Sequence, residues 1–209
     1  MSKLAHIVAV EIDNPTFEGF HRASFQEVMG QAVVWLGPRP HLEDLDPEVH
    51  TRPNGKVILQ VIPYIVLRKG DRVVAYVRPS QGNEARLHGK VSIGLGGHID
   101  LADVVHTESV VDLGATVSLA AVRELDEEVG IKFDPERINW TGFIVRRDGP
   151  VDRVHLGCVG ELSLTEEDAA KLGYTVEIGQ TRFLRIEDIE REMDGYEIEA
   201  WTKAIIEAS

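Results

Sequence analysis

The chain has 209 residues, 43% of them hydrophobic and 27% charged, with 35 acidic against 22 basic side chains and a formal net charge of −13. That length supports one sizeable core with elaborations, and the acidity argues against a nucleic-acid polymer as partner, which needs a basic footprint. A single cysteine, Cys158, excludes an intrachain disulfide framework and a cysteine-cluster zinc site. The apolar run from Val57 to Leu67 is broken by Gln60, Pro63 and Tyr64, so no membrane span is expected. The opening MSKLAHIVAVEID is too short in its apolar part and too quickly acidic for a secretory signal. The expectation is a cytoplasmic protein.

Residues 1–56 read as an N-terminal extension packed on or near the core. Within it, Ser24 and Glu27 fit a capping box that opens a short helix in FQEVMGQAVVWL. From Gly37-Pro38 to Asn54-Gly55 the chain is acidic and marked by prolines, and reads as loop. Val57 to Arg78 reads as a hairpin turning at Lys69-Gly70-Asp71. After a polar loop, VSIGLGGHI is a short strand entering a glycine pair, Gly96-Gly97. A helix is predicted over 116–129, where Val117, Ala120, Ala121, Leu125 and Val129 give an apolar face and Gly130 a left-handed stop. Two strands follow, NWTGFIVRR and RVHLGCVGELSL, turning at Asp148-Gly149-Pro150. Thr165 with Asp168 opens a short helix to Leu172, Phe183 to Arg185 is a last strand, and Ile186 to Ser209 supplies helix broken near Asp194-Gly195. This order fits an α/β (α+β type) sandwich with a mixed sheet.

Chemistry concentrates at the end of the predicted central helix. Glu124, Glu127 and Glu128 stand at i, i+3 and i+4 and so share one helix face. Like charges at that spacing repel, and a hard divalent cation with oxygen ligands, Mg²⁺ or Mn²⁺, relieves them. A solvated acidic face is the alternative on spacing alone.

The run Arg123-Glu124-Leu125-Asp126-Glu127-Glu128-Val129-Gly130-Ile131, downstream of a glycine pair, resembles the second half of the signature of the Nudix hydrolases, G-x5-E-x7-R-E-U-x-E-E-x-G-U, at every specified position. The first half departs from it. The signature sets its glycine 14 positions before the arginine, whereas Gly97 precedes Arg123 by 26, an excess of 12. Leu101 to Asp112 therefore read as an insertion, partly helical and partly buried, placed at the mouth of the site. Ala115 stands where the family has its first box glutamate, a helper that braces the helix and its arginine; Asp103, Glu108 or Asp112 from the insertion are candidate substitutes.

The resemblance implies a Nudix-like α/β/α sandwich over residues 57–209 and a metal-dependent pyrophosphohydrolase cleaving a nucleoside diphosphate linked to another moiety. It implies metal ligation by Glu124, Glu127 and Glu128 with the Gly97 carbonyl, and catalysis through Glu127 and Glu128. A late-loop acid, Glu177, is the candidate base. Arg123 is expected to tie the helix to neighbouring acidic groups. Arg78, Arg86, His88 and Lys90 form a basic cluster suited to a small phosphorylated nucleotide-type substrate, and solvated loop charges are the alternative. A homodimer is compatible with this reading. Two other readings stay open: a non-catalytic nucleotide-binding or regulatory module of the same fold, and an isoprenyl diphosphate isomerase. The latter needs an early cysteine, and Cys158 is late.

Overall fold

The structure, a computed structural model, describes residues 5–79, 87–172 and 181–209, with every side chain therein except that of Val49. β4 (Lys56–Lys69) is the organising strand, buried through most of its 14 residues. On one edge it pairs in parallel with β11 (His155–Ser163), and β10 (Ile138–Val145) and β2 (Gly19–His21) continue the sheet outward, both antiparallel. On the other edge β4 is shared. β1 (His6–Asp13), itself paired with β3 (Val33–Pro38), covers its first part from Lys56 to Gln60. β7 (Gly94–Leu95) and β5 (Arg72–Val77) cover its last part from Ile65 onward, and β5 carries β6 (Val91–Ser92) and β12 (Thr181–Leu184).

Helices cover both faces of this mixed sheet. α4 (Leu113–Val129) buries Val117 and Ala120 against Leu59, Val61 and Phe143, and its later turns bury Ala121, Leu125 and Val129 against Ile65, Leu67 and Phe133. The opposite face of β4, through Tyr64 and Val66, receives Ile189 and Met193 from the segment of α6 (Ile189–Glu192) and Ala204 and Ile205 from α7 (Ala200–Glu207). The architecture is the expected α/β/α sandwich. No described helix is long and apolar enough to cross a membrane.

Several local expectations need correction. Ser24 and Glu27 do form the capping box, but its helix, α1 (Phe25–Met29), ends after five residues, and the Val33–Pro38 segment becomes β3 because its backbone completes the edge of β1. The stretch read as loop contains α2 (Arg39–Glu43) and α3 (Pro47–His50), each begun by a proline or arginine-proline pair that pre-sets the helical φ. The insertion holds one 3-10 turn at Leu101–Asp103 and a small hairpin, β8 (His106–Thr107) with β9 (Val110–Val111). α4 begins three residues before the predicted start, capped by the Asp112 side chain, which accepts from the Ala115 N–H. α5 (Glu166–Lys171) carries the anticipated Thr165–Asp168 capping box.

Candidate active site

The site lies where the shared edge of β4 parts. Among the described residues no strand pairs with Val61–Tyr64 on that edge, since the β1 register ends at Gln60 and the β7 register begins at Ile65. Pro63, which has no N–H to leave unpaired, occupies this gap. The Gly96–Asp100 loop runs through it, bridged to β1 at Ile7 and by the Val8 N–H to the Ile99 carbonyl at 2.9 Å. Gly96 has φ of +145°, and a Cβ there would lie 1.9 Å from the Pro63 carbonyl oxygen, so only glycine fits. A Cβ on Gly97 would lie 2.6 Å from Glu124 Oε1. The glycine pair thus presses its backbone directly against the carboxylate end of α4.

A cavity of about 430 Å³ opens at this point, lined by Gly96, Gly97, His98, Arg123, Glu124, Glu127 and Glu128 among others. The three glutamates differ. Glu128 is 2% exposed and accepts the Gly96 N–H at 2.9 Å. Glu124 accepts from Arg123 Nη1 at 2.8 Å, and the more exposed Glu127 from the same nitrogen at 3.3 Å. Arg123 is also bound by Asp103, through Nε at 3.0 and 3.2 Å and Nη2 at 2.9 Å, and gives Nη2 to the His98 carbonyl at 2.8 Å. Burial opposes its charge, but the hydrogen bonds and charges of Asp103 and Glu124 outweigh burial and raise its pKa. Arg123 therefore has the expected tying role, and Asp103 is the insertion carboxylate that braces it.

A second polar network lines the same cavity through Tyr64, Arg78 and Glu199. Glu199, the residue preceding α7 and 4% exposed, accepts Tyr64 Oη at 2.6 Å and Ser92 Oγ at 2.5 Å on Oε1, with Thr202 Oγ1 at 3.2 Å. Its Oε2 accepts Arg78 Nε at 3.0 Å. Burial and the Glu199 charge push the Tyr64 hydroxyl well above its usual range, so it stays a donor. Burial pulls the Arg78 pKa down, but Tyr76, Glu199 and Glu128 push it up by more, so Arg78 stays charged.

The predicted residues fall as follows. Arg78, His88, Lys90, Gly97, Glu124, Glu127 and Glu128 line one cavity. Lys90 is engaged at 2.7 Å with Glu197. Arg86 and Glu177 lie outside the described residues. The insertion buries Asp103 against Arg123 beside α4 and turns the β8–β9 hairpin outward, leaving Val110 71% exposed, and no described residue from Leu101 to Asp112 lines the cavity itself. Cys158 is buried in the core with Val8, Val117 and Phe143, and burial alone pushes its thiol pKa up. It does not line the cavity.

Sequence reasoning missed Tyr64, Asp152, His155, Glu199 and Trp201, all in the cavity wall. Asp152 has a raised pKa, from burial first and then the charges of Asp148 and Glu199. His155 Nδ1 donates to the Val151 carbonyl at 2.5 Å, and its Nε2 stands 3.4 Å from His98 Nε2. These residues come from three separate segments, and only a charge in an apolar stretch, Glu199 between Ile198 and Ala200, hinted at one of them.

Among the described residues no three His, Cys, Asp or Glu side chains converge as a ready metal cluster. The donor set nevertheless suits a hard cation. Asp103, Glu124 and Glu127 face one guanidinium and Glu128 stands beside them on the Gly96 N–H, and Mg²⁺ is held by one or two protein oxygens with its own waters retained.

No known family profile matches the chain. It is 29% identical over 154 residues to Protein YmaB of Bacillus subtilis (strain 168), covering 71% of this chain and 69% of that protein. Among solved structures it is similar to Tm1382, presented as a candidate Nudix hydrolase, with a TM-score of 0.63 and 21% identity over 97% of both chains. It is also similar to a Nudix hydrolase from Alicyclobacillus acidocaldarius, with a TM-score of 0.52 and 15% identity over 72% of this chain and 90% of that one. DR0079 from Deinococcus radiodurans aligns over 96% and 98% of the two chains with a TM-score of 0.51 and 14% identity. At these identities the likeness is one of architecture, and it agrees with the box at Arg123–Ile131: the chain has the fold of the Nudix hydrolases.

Proposed function

We propose that the chain is a metal-dependent pyrophosphohydrolase that cleaves a nucleoside diphosphate linked to another moiety. The observation that carries this reading is the charge imbalance at the end of α4. Three carboxylates, Asp103, Glu124 and Glu127, share the Arg123 guanidinium, with Glu128 beside them on the Gly96 N–H and the Gly97 backbone packed against Glu124. Glu124, Glu127, Glu128 and the Gly97 carbonyl would hold Mg²⁺ or Mn²⁺. When bound, the ion supplies charge neutralisation for the diphosphate and a lowered pKa for an attacking water.

The chain's own groups do the rest. Asp103 and the His98 carbonyl fix Arg123, and Arg123 fixes Glu124 and Glu127. Gly96 orients Glu128. Arg78, His88 and Lys90, which line the cavity, and Arg86 bind the phosphate oxygens, and Glu177 takes the proton from water. Supporting the reading are the shared cavity and the shared fold.

The test is turnover of a panel of nucleoside diphosphate sugars, dinucleoside polyphosphates and oxidised nucleotides with Mg²⁺ and with Mn²⁺. The reading expects cleavage between the two phosphorus atoms, abolished by EDTA. Tight nucleotide binding without turnover of any member would replace it with the binding-module reading.

A further inference from the structure

We propose that Glu199 is a positioning residue that presents Arg78 to a phosphate group of the ligand. The inference deepens the pyrophosphohydrolase reading and rests on that cavity being the phosphoryl site. A guanidinium is planar, so fixing one of its nitrogens against a rigid acceptor fixes its plane. Arg78 Nε is fixed in this way at 3.0 Å from Glu199 Oε2, and the Tyr76 ring, with its centroid 5.6 Å from Arg78 Cζ, bounds the group. Nε uses one of the five N–H donors, and the two terminal amines carry the other four. The cavity that Arg78 lines is the space in which a ligand reaches them.

Glu199 is itself immobilised. Three hydroxyl groups from three segments, Tyr64, Ser92 and Thr202, crowd its Oε1. That set is more than is needed to hold a helix end: the side chain makes no capping bond to α7, although Glu199 occupies its N-cap position. A carboxylate so placed is also a poor general base, since both oxygens are already accepting. What remains for it is to neutralise and aim a buried cation. Arg78 and the glutamate end of α4 line the same cavity, and bidentate binding by its terminal amines suits a phosphate oxygen pair. The carboxylates then take the metal side of a diphosphate, and Arg78 takes the other.

The proposal is tested on the full-length chain by equilibrium binding of inorganic pyrophosphate in the presence of Mg²⁺, for the parent, Arg78→Ala, Glu199→Gln and the double variant. Glu199→Gln keeps the size and most hydrogen bonds of the anchor but removes the charge that pairs Arg78. The expected result is about tenfold weaker binding for each single variant, the scale of one charge-assisted contact, with the double variant no weaker than Arg78→Ala alone. Arg78→Lys keeps the charge but lacks the fork, and is expected to bind nearly as weakly as Arg78→Ala. Should Glu199→Gln fail to fold, Arg78→Lys still decides whether the aimed fork matters. Equal losses from Glu199→Gln in the presence and absence of Arg78 would mean that Glu199 only braces α7. No pyrophosphate binding by the parent, or full binding by Arg78→Lys, also overturns the proposal. The hydrolase reading fails separately, if pyrophosphate binds with this coupling but no substrate is cleaved.

Discussion

Asp103 holds Arg123 in a fork: Nε meets both carboxylate oxygens and Nη2 meets Oδ2, all within 3.2 Å, on a carboxylate that is 3% exposed. This pair explains the departure from the Nudix signature. The family's first box glutamate braces the helix arginine, and here Ala115 occupies its register position within the first turn of α4. The insertion that displaced the register supplies Asp103 instead.

Replacing Asp103 by alanine leaves Arg123 short of its main partner. The expected cost is about 2–4 kcal/mol of stability, as for breaking a buried ion pair, with weaker metal binding because Glu124 and Glu127 lose a fixed neighbour. Adding Ala115→Glu to that variant should restore neither. Urea unfolding of the two variants checks this; recovery of stability in the double variant would show that position 115 does reach Arg123.

The two glycines differ in what they tolerate. Gly96→Ala sets a Cβ against the Pro63 backbone at a positive φ, which no side-chain movement relieves. It is expected to cost about 3 kcal/mol or to prevent folding. Gly97→Ala meets only the Glu124 carboxylate, so it should fold nearly as the parent and lower the affinity for Mn²⁺. Thermal melting with a parallel metal titration separates them, and equal effects on stability would contradict the assignment.

Two acidic residues compete for the role of base. Glu177 was named from the sequence, and Asp152 lines the cavity with a pKa raised by burial. If Glu177 takes the proton, Glu177→Gln lowers kcat by about 10²-fold or more, and Asp152→Asn changes it far less. The reverse pattern in steady-state rates would transfer the role to Asp152.

A pH effect follows from Asp168, which the Arg137 guanidinium and the Thr165 N–H hold down to about 2. Because its native pKa is lowered, ionised Asp168 stabilises the fold above the ordinary carboxylate range near pH ~4 and loses that contribution as pH falls toward the native value. The site is near the surface, so the effect is small: Asp168→Asn should lower Tm by about 2 °C at pH 7. The difference between variant and parent should shrink on acidification and vanish near pH ~2; a difference that grows on acidification would contradict it.

What the sequence made legible was local. The α4 glutamates share a face by helical spacing, and Gly96-Gly97 announces a tight turn, so one part of the cavity lining could be read directly. Another part could not. Tyr64 and Glu199 are 135 residues apart and meet only because α7 packs on the sheet face opposite α4. Asp103 was one of three insertion candidates, and no spacing rule distinguished it from Glu108 or Asp112. The structure does so by burial: Asp103 faces Arg123, Asp112 caps α4, and Glu108 turns the exposed hairpin at φ of 58°. Short helices such as α2 and α3 were hidden by prolines that begin them as readily as they break them.

The central claim is that the carboxylate surplus at the end of α4 is a divalent-cation site. Calorimetric titration of Mn²⁺ into the parent chain and into Glu128→Gln tests it most directly. Glu128 is the most buried of the three glutamates and is aimed by the Gly96 N–H. The account predicts saturable binding to the parent and clear loss of affinity in Glu128→Gln, with the melting temperature of the variant close to that of the parent in EDTA. Equal Mn²⁺ affinity in the two proteins, or no binding to either, would contradict it.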